Sequence, residues 1–361
     1  MKRNSTIFYT LIFVLLCSSE SWARERRYFY EGVRGRGMGG AQIATVNDET
    51  ALLINPAGLG KLREFYGTIF DPELEYSNNL NSMNQSSSIT EPFSIGGIKN
   101  TLDASRDTYY HAKAQIFPSM VSKNFGIGIY SSYLLDGEMN TAGTNMDVYY
   151  RSDLALALGY NFRFFDGRIK LGFGAKIINR IEVDNPLIDP TGALDLVSVG
   201  ATEGTGLATD VGLIMTAPWA MLPTLSIVAH DVGNTAFDKA SGLRLTTTDR
   251  PATVPQDVDV ALAIFPIHSN KVRSTWTVEY RGLLTAKDET DKAKLIHGGA
   301  EVNIADIFFI RAGYNQRYYT AGLEFASERT QFQIATYGEE IGDETTPRED
   351  RRTVFKFAFR F

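Results

Sequence analysis

The sequence predicts an all-β protein, a transmembrane antiparallel β-barrel of about 14 strands. Three observations predict it. Beyond residue 105, large apolar side chains recur at every second position in segment after segment, the period of a strand and not of a helix. Beyond the N-terminal leader no apolar run reaches the roughly 20 residues of a membrane-crossing helix, so strands must make any crossing. The connections alternate short and long, as in barrels with tight turns at one rim and loops at the other.

Residues 1–23 read as a secretory signal peptide. Lys2 and Arg3 precede the apolar run Ile7 to Cys17, and Ser21-Trp22-Ala23 offers small residues where a signal peptidase reads. The run is too short to anchor stably, and bulky Leu16 before Cys17 argues against lipid attachment. Cleavage after Ala23 removes the single cysteine, which excludes disulfides and thiolate chemistry from the mature chain. The net charge of −6 falls to about −7 with the loss of Lys2, Arg3 and Glu20, an acidity with no footprint for nucleic acid. No linker or internal repeat divides the remainder.

The next segment, 24–62, contains Gly35-x-Gly37-x-x-Gly40, the spacing of a dinucleotide fingerprint. That fingerprint needs a buried strand before it and a compartment that holds the cofactor. Here the preceding residues are the polar run RERRYFYEGVR, at the start of an exported chain. The glycines instead suit tight backbone packing and positive φ. No cofactor is expected.

Strands follow, near 65–76, 108–117, 124–135, 147–163, 168–184, 204–217, 222–232, 256–266, 271–284, 293–303, 306–315, 318–327, 330–339 and 350–361. In one, Leu154, Leu156, Leu158, Tyr160 and Phe162 alternate with Ala155, Ala157, Gly159 and Asn161. In the next, Ile169, Leu171, Phe173, Ala175 and Ile177 alternate with Lys170, Gly172, Gly174 and Lys176. The apolar face is large and aromatic; the other mixes small and charged residues, as a polar lumen requires. PSMVSK, FFDGR, APWAML, PIHSN, NIAD and SERT are the short connections, and 77–107, 136–146, 185–203, 233–255 and 340–349 the long ones. Asp166-Gly167 marks a two-residue hairpin turn. Phe355, Phe357, Phe359 and Phe361 end the chain in one register, which resembles the signal read by the barrel assembly machinery of the outer membrane.

With the barrel in place, GMGGAQIATVNDETALLINPAGLGKL resembles the N-terminal signature of the FadL-like outer-membrane family, which includes fatty-acid and aromatic-hydrocarbon transporters. The matching residues are the glycine turn with Gly37, Gly39 and Gly40, the acidic step Asp48-Glu49, and Asn55-Pro56-Ala57. The resemblance implies a fourteen-stranded barrel, 63–361, in a bacterial outer membrane, with 24–62 folded inside as a hatch. It implies passive uptake of hydrophobic small molecules, fatty-acid or hydrocarbon-like, through a lateral gap at a kinked strand. Gly126, Gly128, Gly172 and Gly174 are placed to bend strands or to make room for the hatch. Pro56 turns the chain without an orphan N–H, and Asn55 can bond neighbouring backbone.

Three other readings stay open. An accessory or structural barrel binding a secretion or conjugation-machinery protein, a secreted or cell-envelope partner, would use the Asn- and Ser-rich loop 77–107. A barrel enzyme would need a reactive pair, but His230 and Asp231 are adjacent on a strand and face opposite sides. His111, His268 and His297 lie in separate segments without metal-ligand spacing. A diffusion pore would need an open lumen. The inward charges Lys170, Lys176, Asp257, Asp259, Arg273, Glu279, Arg281, Glu301 and Arg311 are expected to bond the hatch and each other.

Overall fold

A computed structural model describes residues 25–86, 91–240 and 242–361, so the leader expected at 1–23 lies outside the described residues. Sixteen strand segments form one closed antiparallel sheet. Two pairs are halves of broken strands, so the barrel has fourteen. The first strand is β1 (Tyr66–Phe70) plus β2 (Glu73–Ser77), and the second is β3 (Tyr110–Ile116) plus β4 (Ser119–Ser122). Both breaks carry a proline, Pro72 and Pro118, which cannot donate to a ladder. Then come β5 (Phe125–Met139), β6 (Met146–Phe164), β7 (Ile169–Ile188), β8 (Thr202–Thr216), β9 (Thr224–His230), β10 (Asp257–Ile264), β11 (Val272–Tyr280), β12 (Ile296–Ile304), β13 (Phe308–Asn315), β14 (Tyr318–Ala326), β15 (Thr330–Glu340) and β16 (Glu349–Arg360).

Closure is made by β16 against the first strand. Thr68 pairs Arg360, Val354 pairs Glu75, and Phe361 exchanges backbone hydrogen bonds with Gly67 at 3.0 and 3.1 Å. Phe355, Phe357, Phe359 and Phe361 face outward, and the Phe361 ring packs 6.3 Å from that of Phe65. The short turns sit at one end and the long loops at the other. PSMVSK is not a turn: Ser119–Ser122 continues the broken second strand, leaving Lys123-Asn124 as the connection, with Asn124 at φ 74°. The Asp166-Gly167 turn is also wider than a two-residue hairpin, because Phe165 joins both in the left-handed region. Gly126, Gly128, Gly172 and Gly174 bend nothing: β5 and β7 run unbroken through them.

The wall is uneven in height. β6 and β7 have 19 and 20 residues, while β9, β10 and β11 have 7, 8 and 9. On β5–β7 the outward face is exposed at Tyr133, Leu154 and Ile177, then buried at Leu135, Tyr150 and Ile181 towards the long loops. The loop 78–109 causes this. Its helices α3 (Asn79–Ser86) and α4 (Ile95–Ala104) lie on the outside of the tall wall, and Ile98 and Leu102 cover Gly137. They follow α1 (Val33–Gly37) and α2 (Ala51–Ile54), short helices of the N-terminal segment. The upper half of β8 has no neighbour of matching length on its far side. Loop 231–256 straddles that edge, with Phe237 against Gly204 on the inner face and Arg244 bonded to Ser152 and Asn179 on the outer. An open edge is thereby covered.

Candidate functional site

Residues 30–62 are almost wholly buried, and their partners lie on the inward faces of strands around the closed sheet. The glycine turn meets β12–β14. A Cβ on Gly37 would lie 3.3 Å from Gly322 Cα, and one on Gly39 would strike Gly298 O. Gly39 and Gly40 hold φ of 66° and 87°, a region glycine enters at no steric cost. Opposite them, Gly299 and Gly313 admit the Met38 backbone. Thr320 Oγ1 then receives the Gly39 N–H and donates to Gly37 O, both at 3.0 Å.

Asn55-Pro56-Ala57 meets β7–β9. Asn55 is fully buried and satisfied: Nδ2 donates to Ile43 O (2.8 Å) and Ser226 Oγ (2.9 Å), and Oδ1 accepts from Ala57 N–H (3.0 Å). Pro56 opens a 3₁₀ turn, Pro56–Lys61, at the position where its missing donor costs nothing. Gly172 leaves the space that the Pro56–Ala57 backbone fills, while Gly126 and Gly159 make room for Leu52. Burial of Leu52, Leu53 and Leu59 adds about 1.5–3 kcal/mol each.

Ion pairs complete the grip. Arg34 and Arg311 share Glu301, Arg36 bridges Glu31 and Glu339, and Arg281 pairs with Glu31 and Glu279. Glu279 also accepts the N–H groups of Gln42 (2.6 Å) and Ile43 (2.9 Å). Glu49 is clamped by Arg360 at 2.7 Å. Burial works against its ionisation, but Arg360 and Lys356 outweigh this and hold its carboxyl at about 2. Of the inward charges expected to bond this segment or one another, Arg273 does not: it is exposed and faces Asp306 in a short turn. Lys170 bonds only the Gly167 carbonyl among the described residues.

Towards the long loops the lumen keeps a cavity of ≈ 340 Å³. Phe29, Tyr30, Ile43, Leu53, Ile54, Ile178, Phe237 and Val254 form its apolar wall. Every lysine and arginine in its lining faces a carboxylate: Arg26 with Asp257, Arg27 with Asp136, Arg151 and Arg180 with Asp153, Lys176 with Asp210, and Arg281 with Glu31. His230 sits between Asp210 (3.7 Å) and Asp259 (3.4 Å), not against Asp231, whose carboxylate accepts from Thr235. His111 bridges Asp136 and Glu75, His268 bonds Ser274, and His297 bonds Gly39 O. Glu25, His111 and Asp136 lie close enough to hold a metal ion, but Arg352 and Arg27 already occupy the two carboxylates.

The motif residues Gly37 to Gly40 and Asn55 to Ala57 thus anchor one segment at two places on the inner wall. The four terminal phenylalanines belong to the outer surface. Sequence reasoning missed the cavity's polar lining from Arg26 to Tyr28; the signal was the run RERRY, three arginines within five residues of a segment bound for a lumen.

No protein-family model matches the sequence, and no curated protein matches it. Solved structures do. The monoaromatic hydrocarbon channel CymD aligns with a TM-score of 0.54 at 11% identity, covering 91% of this chain and 97% of its own. The Ralstonia pickettii toluene transporter TbuX aligns at 0.51 and 11%, covering 92% and 98%. A Pseudomonas aeruginosa FadL homologue aligns at 0.51 and 11%, covering 94% and 99%. The fold is that of the FadL-like barrels.

Proposed function

We propose that this chain sits in a bacterial outer membrane and admits neutral hydrophobic small molecules by passive uptake, with residues 24–62 acting as a hatch. One observation carries the reading: a cavity with a broad apolar wall whose lysines and arginines each already face a carboxylate, Arg151 and Arg180 sharing Asp153. Its volume lies within the range of small-molecule sites. A fatty carboxylate entering it would have to compete with carboxylates that already hold every lining cation, and burying a poorly paired charge costs several kcal/mol. A hydrocarbon brings no such cost. The outward band of Ile, Leu, Phe and Trp, including Trp276 and Leu262, suits a bilayer.

The broken strands supply a sideways exit. Tyr66–Thr68 pairs with Ser119–Val121, and pairing resumes only at Glu73↔Gln115. Asp71 spans the interval, accepting the Phe117 N–H at 2.6 Å and pairing with Lys356 at 3.1 Å. Small side chains would widen it.

The test is equilibrium binding of the neutral fluorophore 1-N-phenylnaphthylamine to purified, folded protein, with toluene or octanoate as competitor at pH 7. Toluene should displace it and octanoate should not. Stronger displacement by octanoate would refute the neutral-solute reading. No binding of either, with a cell-envelope protein retained in pull-downs, would favour the accessory-barrel reading instead.

A further inference from the structure

We propose that solutes enter this cavity over the low wall, across the rim at the tops of β9, β10 and β11, and that Arg26 is the latch across that entrance. The inference rests on the uptake reading above and adds the route to it. A tilted strand crosses a bilayer with about 9–11 residues, so β9–β11, with 7, 8 and 9, rise no higher than the membrane boundary. On the far side β6 and β7 rise roughly ten residues further. There the outer face is sealed by α4 and the inner face by Phe237, which closes that approach.

The low rim is different. Val232, Leu283 and Leu284 are 39%, 52% and 48% exposed. Backbone bonds set them along one edge: Val232 N–H to Thr209 O, Leu283 N–H to Val258 O, and Leu284 N–H to the Asp257 carboxylate. They form an apolar sill level with the bilayer surface, directly outside cavity residues Asp257 and Thr285. A neutral solute dissolved in the outer leaflet reaches this sill without crossing water.

Arg26 lies across the opening. Its guanidinium donates to Asp257 at 2.7 Å and to Thr285 Oγ1 at 2.5 Å, so the N-terminal segment ties the β10 top to the β11–β12 loop. The guanidinium occupies the space a Cβ on Gly282 would need. Arg26 and Asp257 keep 16% and 18% side-chain exposure, so water reaches both members of this tie, unlike the pair of Lys176 and Asp210 deeper in the cavity.

The experiment uses the full mature protein in lipid nanodiscs and follows binding of 1-N-phenylnaphthylamine by stopped flow. An entrance changes association and dissociation together and leaves affinity unchanged. Leu283→Asp with Leu284→Asp should slow both rates about tenfold at unchanged Kd; Arg26→Ala, which also removes a cavity-lining side chain and so can shift Kd as well, should speed association, and Arg26→Lys should restore it. Leu187→Asp with Val197→Asp, exposed residues at the top of β7 and in the loop after it on the tall side, should do nothing. Heat-modifiable migration confirms that each variant is folded. Slowing by the tall-side pair, or none by the sill pair, overturns the route while leaving the uptake reading intact. A wild type that does not bind the fluorophore overturns both.

Discussion

Asn55→Ala would strip three hydrogen bonds from a site with no access to solvent. Ile43 O would keep one donor, Ser226 Oγ at 3.1 Å, but the Ala57 N–H would be left with none. A buried orphan costs about 1–3 kcal/mol and each lost bond roughly 1 net, so the segment should be destabilised by about 3 kcal/mol. At 1.4 kcal/mol per decade, local opening rises roughly 100-fold. The loss should stay local, because the barrel's backbone bonds run between strands and do not pass through Asn55. Hydrogen exchange of the amides at 51–58 should therefore accelerate by about two decades, while β12–β16 keep their protection. Ser226→Ala, which removes one partner, should give about a tenth of that effect. Unchanged exchange at 51–58 would refute the account of the Asn55 anchor. Equal acceleration across all strands would refute its locality.

Deleting residues 24–62 should leave a closed, heat-modifiable barrel and raise its conductance in planar bilayers; a folded deletion that conducts no better than the intact protein would remove the hatch. Gly39→Ala should loosen the glycine turn by more than 1 kcal/mol, since φ of 66° and the Gly298 carbonyl both reject a Cβ, and faster exchange at Met38–Ala41 reads this out. Because Glu49 is held below its free value of 4.5, at about 2, its clamp on Arg360 is complete above pH 4.5 and fades as pH falls towards 2. Conductance should rise over that window in the wild type and less in Glu49→Gln. Removing Phe361 breaks the backbone pair with Gly67, so folded yield in the outer membrane should fall while export continues.

How much was legible follows from how local each signal is. All fourteen strands show in the sequence, because one inward and one outward face impose a period of two on every one of them. Strand height does not show. On β7 the alternation runs on past Ile177 through Ile181 and Val183, and a residue covered by α4 and its neighbours reads the same as one covered by lipid. The Asn- and Ser-rich segment 77–107 reads as a long connection, yet Ile95, Ile98 and Leu102 recur at helical spacing and bury one face of α4.

The breaks in the first two strands were spelled out and still hard to read. Pro72 and Pro118 are each tolerable alone, as strand-end residues. Their meaning comes from register: Thr68 pairs Ser119 and Glu73 pairs Gln115, so the two prolines fall in adjacent strands at the same height. Only the pairing reveals that one interruption faces the other, and pairing is a property of the closed sheet. The same holds for the glycines. Gly37 needs Gly322, and Met38 needs Gly299 and Gly313, across more than 250 residues. Of the fingerprint-like Gly35, Gly37 and Gly40, Gly37 therefore answers to Gly322 on β14, Gly35 to Gln42 and Gly40 to His297, none of them to a phosphate. A leucine at Gly322 should dislodge the turn as effectively as Gly39→Ala does, although it lies outside the motif. Normal protection of Met38–Ala41 in a folded Gly322→Leu protein would separate Gly37 from Gly322 and leave the glycine at 37 without its structural reason.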